Sequence, residues 1–153
     1  MDVNRFENFL SDNDCGRLID YYQNNLKDKF RYNSTEPINI LDCKDLFVSE
    51  CLDKVIKKCK SLSNVYLDNA EIIRWLNGGH MEMHVDQGDK YAAITYLNDD
   101  YAGGELIIQD YKIKPKRGEL IVFENSHILH GVNTVIGERF TLSSWFKSDQ
   151  IIS

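Results

Sequence analysis

From Val65 onward the apolar residues of this chain come in short runs broken by turn residues, and this limits the fold more than any other feature. The runs lie around Ile72 to Leu76, Met81 to Asp86, Ala92 to Leu97, Leu106 to Gln109, Glu119 to Phe123, Val132 to Val135 and Phe140 to Phe146. Each is rich in β-branched and aromatic residues, and Gly, Asn, Asp or Pro stands between them, which is the pattern of strands joined by tight connections. No helical pattern intervenes between consecutive runs, so a parallel βαβ sheet is excluded.

The first third of the chain has a different period. Ser11 and Asp14 stand at capping-box spacing, and Cys15, Leu18, Ile19, Tyr22 and Leu26 follow at helical intervals. A second helix is expected where Val48, Cys51, Leu52, Val55, Ile56 and Cys59 repeat at three and four residues, ending in the polar SLSN. The expected fold is therefore α+β and mainly β: a double-stranded β-helix, or jelly roll, over about 65–148, with helical support over about 1–63 packed on one sheet. With 153 residues, 42% of them hydrophobic and 11% aromatic, the chain has material for one core and for one domain spanning 1–153.

Charge and cysteine usage narrow the function classes. The 18 basic and 24 acidic residues leave a net charge of −6, which repels a phosphate backbone, so nucleic acid is not an expected partner. No apolar run approaches the roughly 18 residues that span a bilayer, and acids interrupt MDVNRFENFL where a signal peptide would be apolar; the expectation is a soluble, cytoplasmic protein without a membrane partner. Cys15, Cys43, Cys51 and Cys59 form no CxxC pair and read as reduced thiols, two of them on the stripe of the second helix.

The chemistry is carried by two segments. In Met83-His84-Val85-Asp86, residues two apart on a strand point to one side, so His84 and Asp86 can present an imidazole and a carboxylate to the same point. Alone this triplet is weak, since a surface His beside a solvated Asp explains it as well. A second histidine, His130, opens the segment HGVNTVIGER. Two His and one carboxylate make the facial triad of non-haem Fe(II) oxygenases, which leaves coordination positions open, whereas a structural zinc site would be closed by four ligands, usually thiolates. If residues 132–137 form a hairpin centred between Thr134 and Val135, Arg139 lies on the strand next to His130 and is buried, where its guanidinium needs an anion. On residues alone, a surface charge at a hairpin end accounts for Arg139 equally well.

These blocks, HVD at 84–86, YLNDDYAGGEL at 96–106 and HGVNTVIGERFTLSSWF at 130–146, resemble the prolyl-4-hydroxylase type of Fe(II)/2-oxoglutarate-dependent dioxygenase, over roughly the half of the chain from Ile72 to Phe146. The resemblance implies that His84, Asp86 and His130 bind iron, that Arg139, nine residues after the last histidine, grips the distal carboxylate of 2-oxoglutarate, and that Tyr96 hydrogen-bonds the same carboxylate. It places Ile94, Leu106, Ser143 and Trp145 in the pocket wall, although plain core packing accounts for the apolar ones as well. It further implies Fe(II) as cofactor, 2-oxoglutarate as co-substrate, O2 as oxidant and ascorbate as a candidate reductant, in a reaction that hydroxylates a substrate C–H bond while 2-oxoglutarate becomes succinate and CO2.

Peptidyl proline is the first expected substrate; a free amino acid, a small metabolite and a methylated nucleobase are alternatives, as is a non-catalytic metal-binding jelly roll. Some features depart from the family: Met81 and Trp75 stand where tyrosines are frequent, and Lys90 is the nearest cation to a position where arginine is frequent. His127 is assigned to a loop or an orienting role and His80 to a loop near the mouth, because the interval to Arg139 runs from His130. Oligomeric state is left open.

Overall fold

The structure is a computed structural model that describes residues 3–26 and 34–148. The ends of the 1–153 span and the stretch 27–33 lie outside the described residues. In chain order the elements are β1 (Val3–Phe6), α1 (Asp12–Asn24), β2 (Thr35–Asn39), α2 (Leu46–Leu62), β3 (Val65–Trp75), β4 (Met81–His84), β5 (Tyr91–Tyr96), β6 (Ala102–Gly103), β7 (Leu106–Ile108), β8 (Tyr111–Ile113), β9 (Leu120–Phe123), β10 (His130–Val132), β11 (Val135–Ile136) and β12 (Arg139–Ser148). The strands make a six-stranded sheet in the order β1-β9-β5-β12-β3-β2, a four-stranded sheet in the order β4-β10-β7-β8, and a two-stranded link β11-β6. All pairs are antiparallel. This is the jelly-roll arrangement of two facing sheets.

Strand periodicity explains the layering. Along β5 and β12 one set of residues (Ala93, Leu97, Phe140, Leu142 and Phe146) packs against the helices in one core. The alternate set points to the other side, toward the four-stranded sheet: Ala92 and Tyr96 join Ile121, Phe123, Leu106 and Ile108 in a second core. The large sheet is thus buried on both faces, the reason its strands read as apolar runs rather than as clean alternation.

Both helices form where their patterns predict. Ser11 caps α1 by accepting from the Asp14 backbone N–H at 3.1 Å, and Asp45 caps α2 by accepting from Val48 at 3.0 Å. Their apolar stripes, Cys15, Leu18 and Tyr22 on one helix and Val48, Cys51, Val55 and Cys59 on the other, are buried against the sheet. All four cysteines are free thiols, and burial pushes Cys59 up to about 12. Among the described residues no helix is long and apolar enough to cross a membrane.

The stretch expected as helical support, about 1–63, holds two strands beside the two helices. These are both edge strands of the large sheet: β1 pairs with β9, and β2 pairs with β3. Four or five residues carry too little periodicity to announce a strand, and Pro37 in β2 argues against one, but an edge strand tolerates proline. The β1 edge is pinned by Arg5, whose Nε and Nη2 donate to the fully buried Glu119 carboxylate at 2.6 and 3.2 Å.

A second difference concerns the 132–137 segment. It is not a hairpin: His130 pairs with His84 and Ile108 in the four-stranded sheet, whereas Arg139 pairs with Trp75 in the six-stranded sheet. Between them Val135 and Ile136 pair with Gly103 and Ala102, and Gly137 turns at φ 106°, so the chain crosses from one sheet to the other. His130 and Arg139 therefore belong to opposite walls instead of neighbouring strands.

Candidate active site

The two histidines of the triad are neighbours because β4 and β10 pair, with His84 directly opposite His130. Asp86 is not held by strand alternation, since β4 ends at His84. It is placed by Asn125 on the connection after β9: the Asp86 N–H donates to the Asn125 carbonyl at 2.9 Å, and the Asn125 amide donates to Asp86 Oδ2 at 2.8 Å. The outcome is a cluster in which one donor atom from each of His84, Asp86 and His130 lies within 4.8 Å of the others.

The ring nitrogens decide what can sit between them. Each Nδ1 lies 2.8 Å from a backbone carbonyl, that of Glu82 for His84 and that of Ile128 for His130, so each Nδ1 carries a hydrogen and donates. Both Nε2 atoms then face Asp86, at 3.1 Å from Oδ1 and 3.3 Å from Oδ2. Lone pairs converging on a carboxylate need a positive species between them, either protons on the imidazoles or a divalent cation. Burial by itself would raise the Asp86 carboxyl, but hydrogen bonds from His130 and Asn125 and the charge of the two imidazoles hold it below the usual carboxylate range. With no thiolate in the set and one side of the cluster open to a cavity, the donors suit Fe(II) rather than structural zinc.

That cavity, about 120 Å³, lies between the sheets and is walled by all three triad residues and by Arg139, Ile94, Leu106, Ser143 and Trp145. Arg139 is only 2% exposed. Its guanidinium lies between the Trp75 and Tyr96 rings, 5.0 Å from each centroid, and Nη2 donates to the Tyr96 hydroxyl at 3.2 Å. Nε is buried with no acceptor, and no carboxylate among the described residues is within ion-pair distance. A buried cation in this state costs several kcal/mol until an anion reaches it, so the cavity has a cation-binding cluster at one place in its wall and an anion-binding guanidinium at another.

Tyr96 is completely buried behind Arg139 and is absent from the cavity wall; burial pushes its phenol up to about 12, with the Arg139 charge acting in the opposite direction. Three further residues belong to this constellation. Trp75 faces Arg139 and lines the cavity; Asn125 orients Asp86; and Tyr101 presents a buried hydroxyl toward Arg139, whose charge opposes the upward shift that burial causes. Gly104 lets these groups meet, since at φ 65° a Cβ would stand 2.9 Å from the Tyr101 ring and 3.3 Å from Arg139 Cδ. Trp75 has a sequence signal, its period of two with Ile73. Asn125 and Tyr101 have none, because their roles depend on which loop meets which strand. His127 is exposed on a loop 3.7 Å from Glu124, and His80 is exposed near Gly78.

Acceptors that call for a divalent cation and a buried guanidinium that calls for an anion, sharing one small cavity in a jelly roll, define a class: the non-haem iron oxygenases. The sequence matches the 2OG-Fe(II) oxygenase superfamily over residues 70–147, and the chain belongs to that family. Its cofactor is accordingly Fe(II) and its co-substrate 2-oxoglutarate. Over 70 residues the chain is 37% identical to rat prolyl 3-hydroxylase 2, a match covering 40% of this chain and 10% of that protein, so it spans about a tenth of the curated relative's length. The fold is that of the viral collagen prolyl hydroxylase of Paramecium bursaria Chlorella virus-1, solved with 2-oxoglutarate, at a TM-score of 0.79 and 21% identity, covering 98% of this chain and 97% of that one. It is also that of a Trichoplax adhaerens prolyl hydroxylase solved with a hypoxia-inducible-factor peptide, at a TM-score of 0.75 and 18% identity, covering 96% and 84%.

Proposed function

We propose that this chain hydroxylates a proline within a peptide, consuming 2-oxoglutarate and O2 and releasing succinate, CO2 and the hydroxylated residue. The observation that carries the chemistry is the single cavity walled by both the triad and Arg139. The proline is supported by the prolyl hydroxylases among the relatives, and a peptide by the one solved with a peptide bound. Residues 1–153 are taken as one catalytic unit.

In this reading His84, Asp86 and His130 would hold Fe(II), which with the keto acid and O2 would supply the oxidising power for breaking a C–H bond. Each Nδ1–H bond to a backbone carbonyl fixes its ring so that Nε2 faces Asp86. Arg139 takes the distal carboxylate of 2-oxoglutarate, for which its buried Nε is a donor without an acceptor among the described residues, while Tyr96 steadies the guanidinium. Ile94, Leu106, Ser143 and Trp145 exclude water around the co-substrate and the target carbon.

Mass spectrometry of a proline-containing peptide panel incubated with enzyme, Fe(II), 2-oxoglutarate and ascorbate should show products heavier by one oxygen atom; turnover confined to free amino acids would overturn the peptide reading. Asn125→Ala is expected to weaken Fe(II) binding by about 10–100-fold, the usual effect of losing a group that orients a metal ligand. Calorimetric titration of the metal measures this, and unchanged affinity would mean that Asp86 is oriented without Asn125.

A further inference from the structure

We infer that Glu71 selects the substrate by pairing with a cationic side chain, lysine or arginine, that neighbours the target residue of the peptide. This inference rests on the reading of the chain as a peptide hydroxylase.

Placement comes first. On β3, Ala70 and Ile72 face the helices, so Glu71 shares the other face with Ile73 and Trp75, both of which line the active-site cavity. In the sheet Glu71 stands directly opposite Ser143, which in turn stands opposite Ile94; those two also line the cavity. Glu71 thus continues that row of the wall toward the β2 edge, where Asn39 is its other neighbour. It is not one of the side chains that converge at the triad.

Its chemical state comes second. The side chain is half-buried, and burial alone pushes its carboxyl above the usual range. Among the described residues it makes no hydrogen bond and no ion pair. Its cross-strand neighbours, Ser143 and Asn39, carry no charge; Arg74, on the helix face, pairs with Glu138 at 2.7 Å and Glu36 at 3.6 Å, and Lys147, farther along the sheet, pairs with Asp68 at 3.4 Å. Nothing in the fold gains from a carboxylate here, and a neutral amide of the same size would be cheaper to bury. A carboxylate partly desolvated beside a cavity wall, with no partner among the described residues, is a site for a ligand cation. The chain's charge of −6 favours the approach of such a substrate.

The test compares the unaltered enzyme, Glu71→Gln and Glu71→Lys on peptides identical except for Lys, Gln or Glu placed beside the proline. Hydroxylation is read by mass spectrometry, and binding separately by calorimetry on protein loaded with Zn(II) and 2-oxoglutarate. The expected result is a roughly tenfold preference of the unaltered enzyme for the Lys peptide, as for one charge-assisted contact. Glu71→Gln should level the three peptides, and Glu71→Lys should shift the preference to the Glu peptide. A Lys preference that survives Glu71→Gln, or equal binding of all three peptides to the unaltered enzyme, overturns the inference. Binding with a Glu71-dependent Lys preference but no hydroxylation would uphold it while overturning proline hydroxylation as the reaction.

Discussion

Replacing His84, Asp86 or His130 with alanine should reduce iron-dependent succinate formation from 2-oxoglutarate by at least about 10³-fold, equivalent to about 4 kcal/mol of transition-state stabilisation. The effect is large because the three donors are the whole of the cluster: each provides one atom within 4.8 Å of the others, and no additional His, Cys, Asp or Glu among the described residues joins them. A variant with two donors has no means of recruiting a third. His84 and His130 are fixed by separate backbone carbonyls and Asp86 by Asn125, so losing one ligand leaves the other two in place. The defect should therefore lie in metal affinity and turnover, with far-UV circular dichroism unchanged. Succinate production near the unaltered rate in any of the three variants would remove the triad from the mechanism.

Arg139→Ala should raise the KM for 2-oxoglutarate roughly 100-fold, as expected for losing two charge-assisted hydrogen bonds at about 1.5 kcal/mol each. Lysine at this position restores the charge without the planar fork and should recover only part of the affinity. Arg139→Met separates function from stability. Without 2-oxoglutarate the guanidinium is buried, donates to the Tyr96 phenol and has no anionic partner among the described residues, so a flexible apolar side chain of similar length should raise the unfolding free energy by about 1 kcal/mol. The same variant should lose the stabilisation that saturating 2-oxoglutarate confers, about 2.7 kcal/mol at 100 times Kd. Thermal unfolding with and without 2-oxoglutarate measures both effects. A protein destabilised by Arg139→Met and still stabilised by 2-oxoglutarate would place the carboxylate site elsewhere.

Much of the site was legible because its parts are local in the chain. His84 and Asp86 sit two residues apart, and the interval from His130 to Arg139 together with the surrounding blocks carries the family resemblance, so the donor set and the cation were readable from residue type and spacing. Their arrangement was not. Spacing alone puts Arg139 beside His130 on a hairpin, whereas six residues of crossover send them to facing sheets. It also puts Asp86 on the strand of His84, whereas the strand stops at His84 and Asn125, from another loop, orients the Asp86 carboxylate. Asn125, Tyr101 and Glu71 acquire meaning only through what they face, and facing is a property of packed layers.

The sequence by itself determined the two helices, the β-rich remainder and the chemical identity of the donors, since capping, periodicity and side-chain chemistry act over a few residues. Tertiary structure decided the edge strands contributed by the first forty residues, the placement of the donor cluster and the guanidinium on facing sheets, and the carboxylate beside the cavity wall that has no partner among the described residues. These depend on pairings between residues tens of positions apart, and such contacts form only when burial of the shared core outweighs the entropy of closing the chain between them.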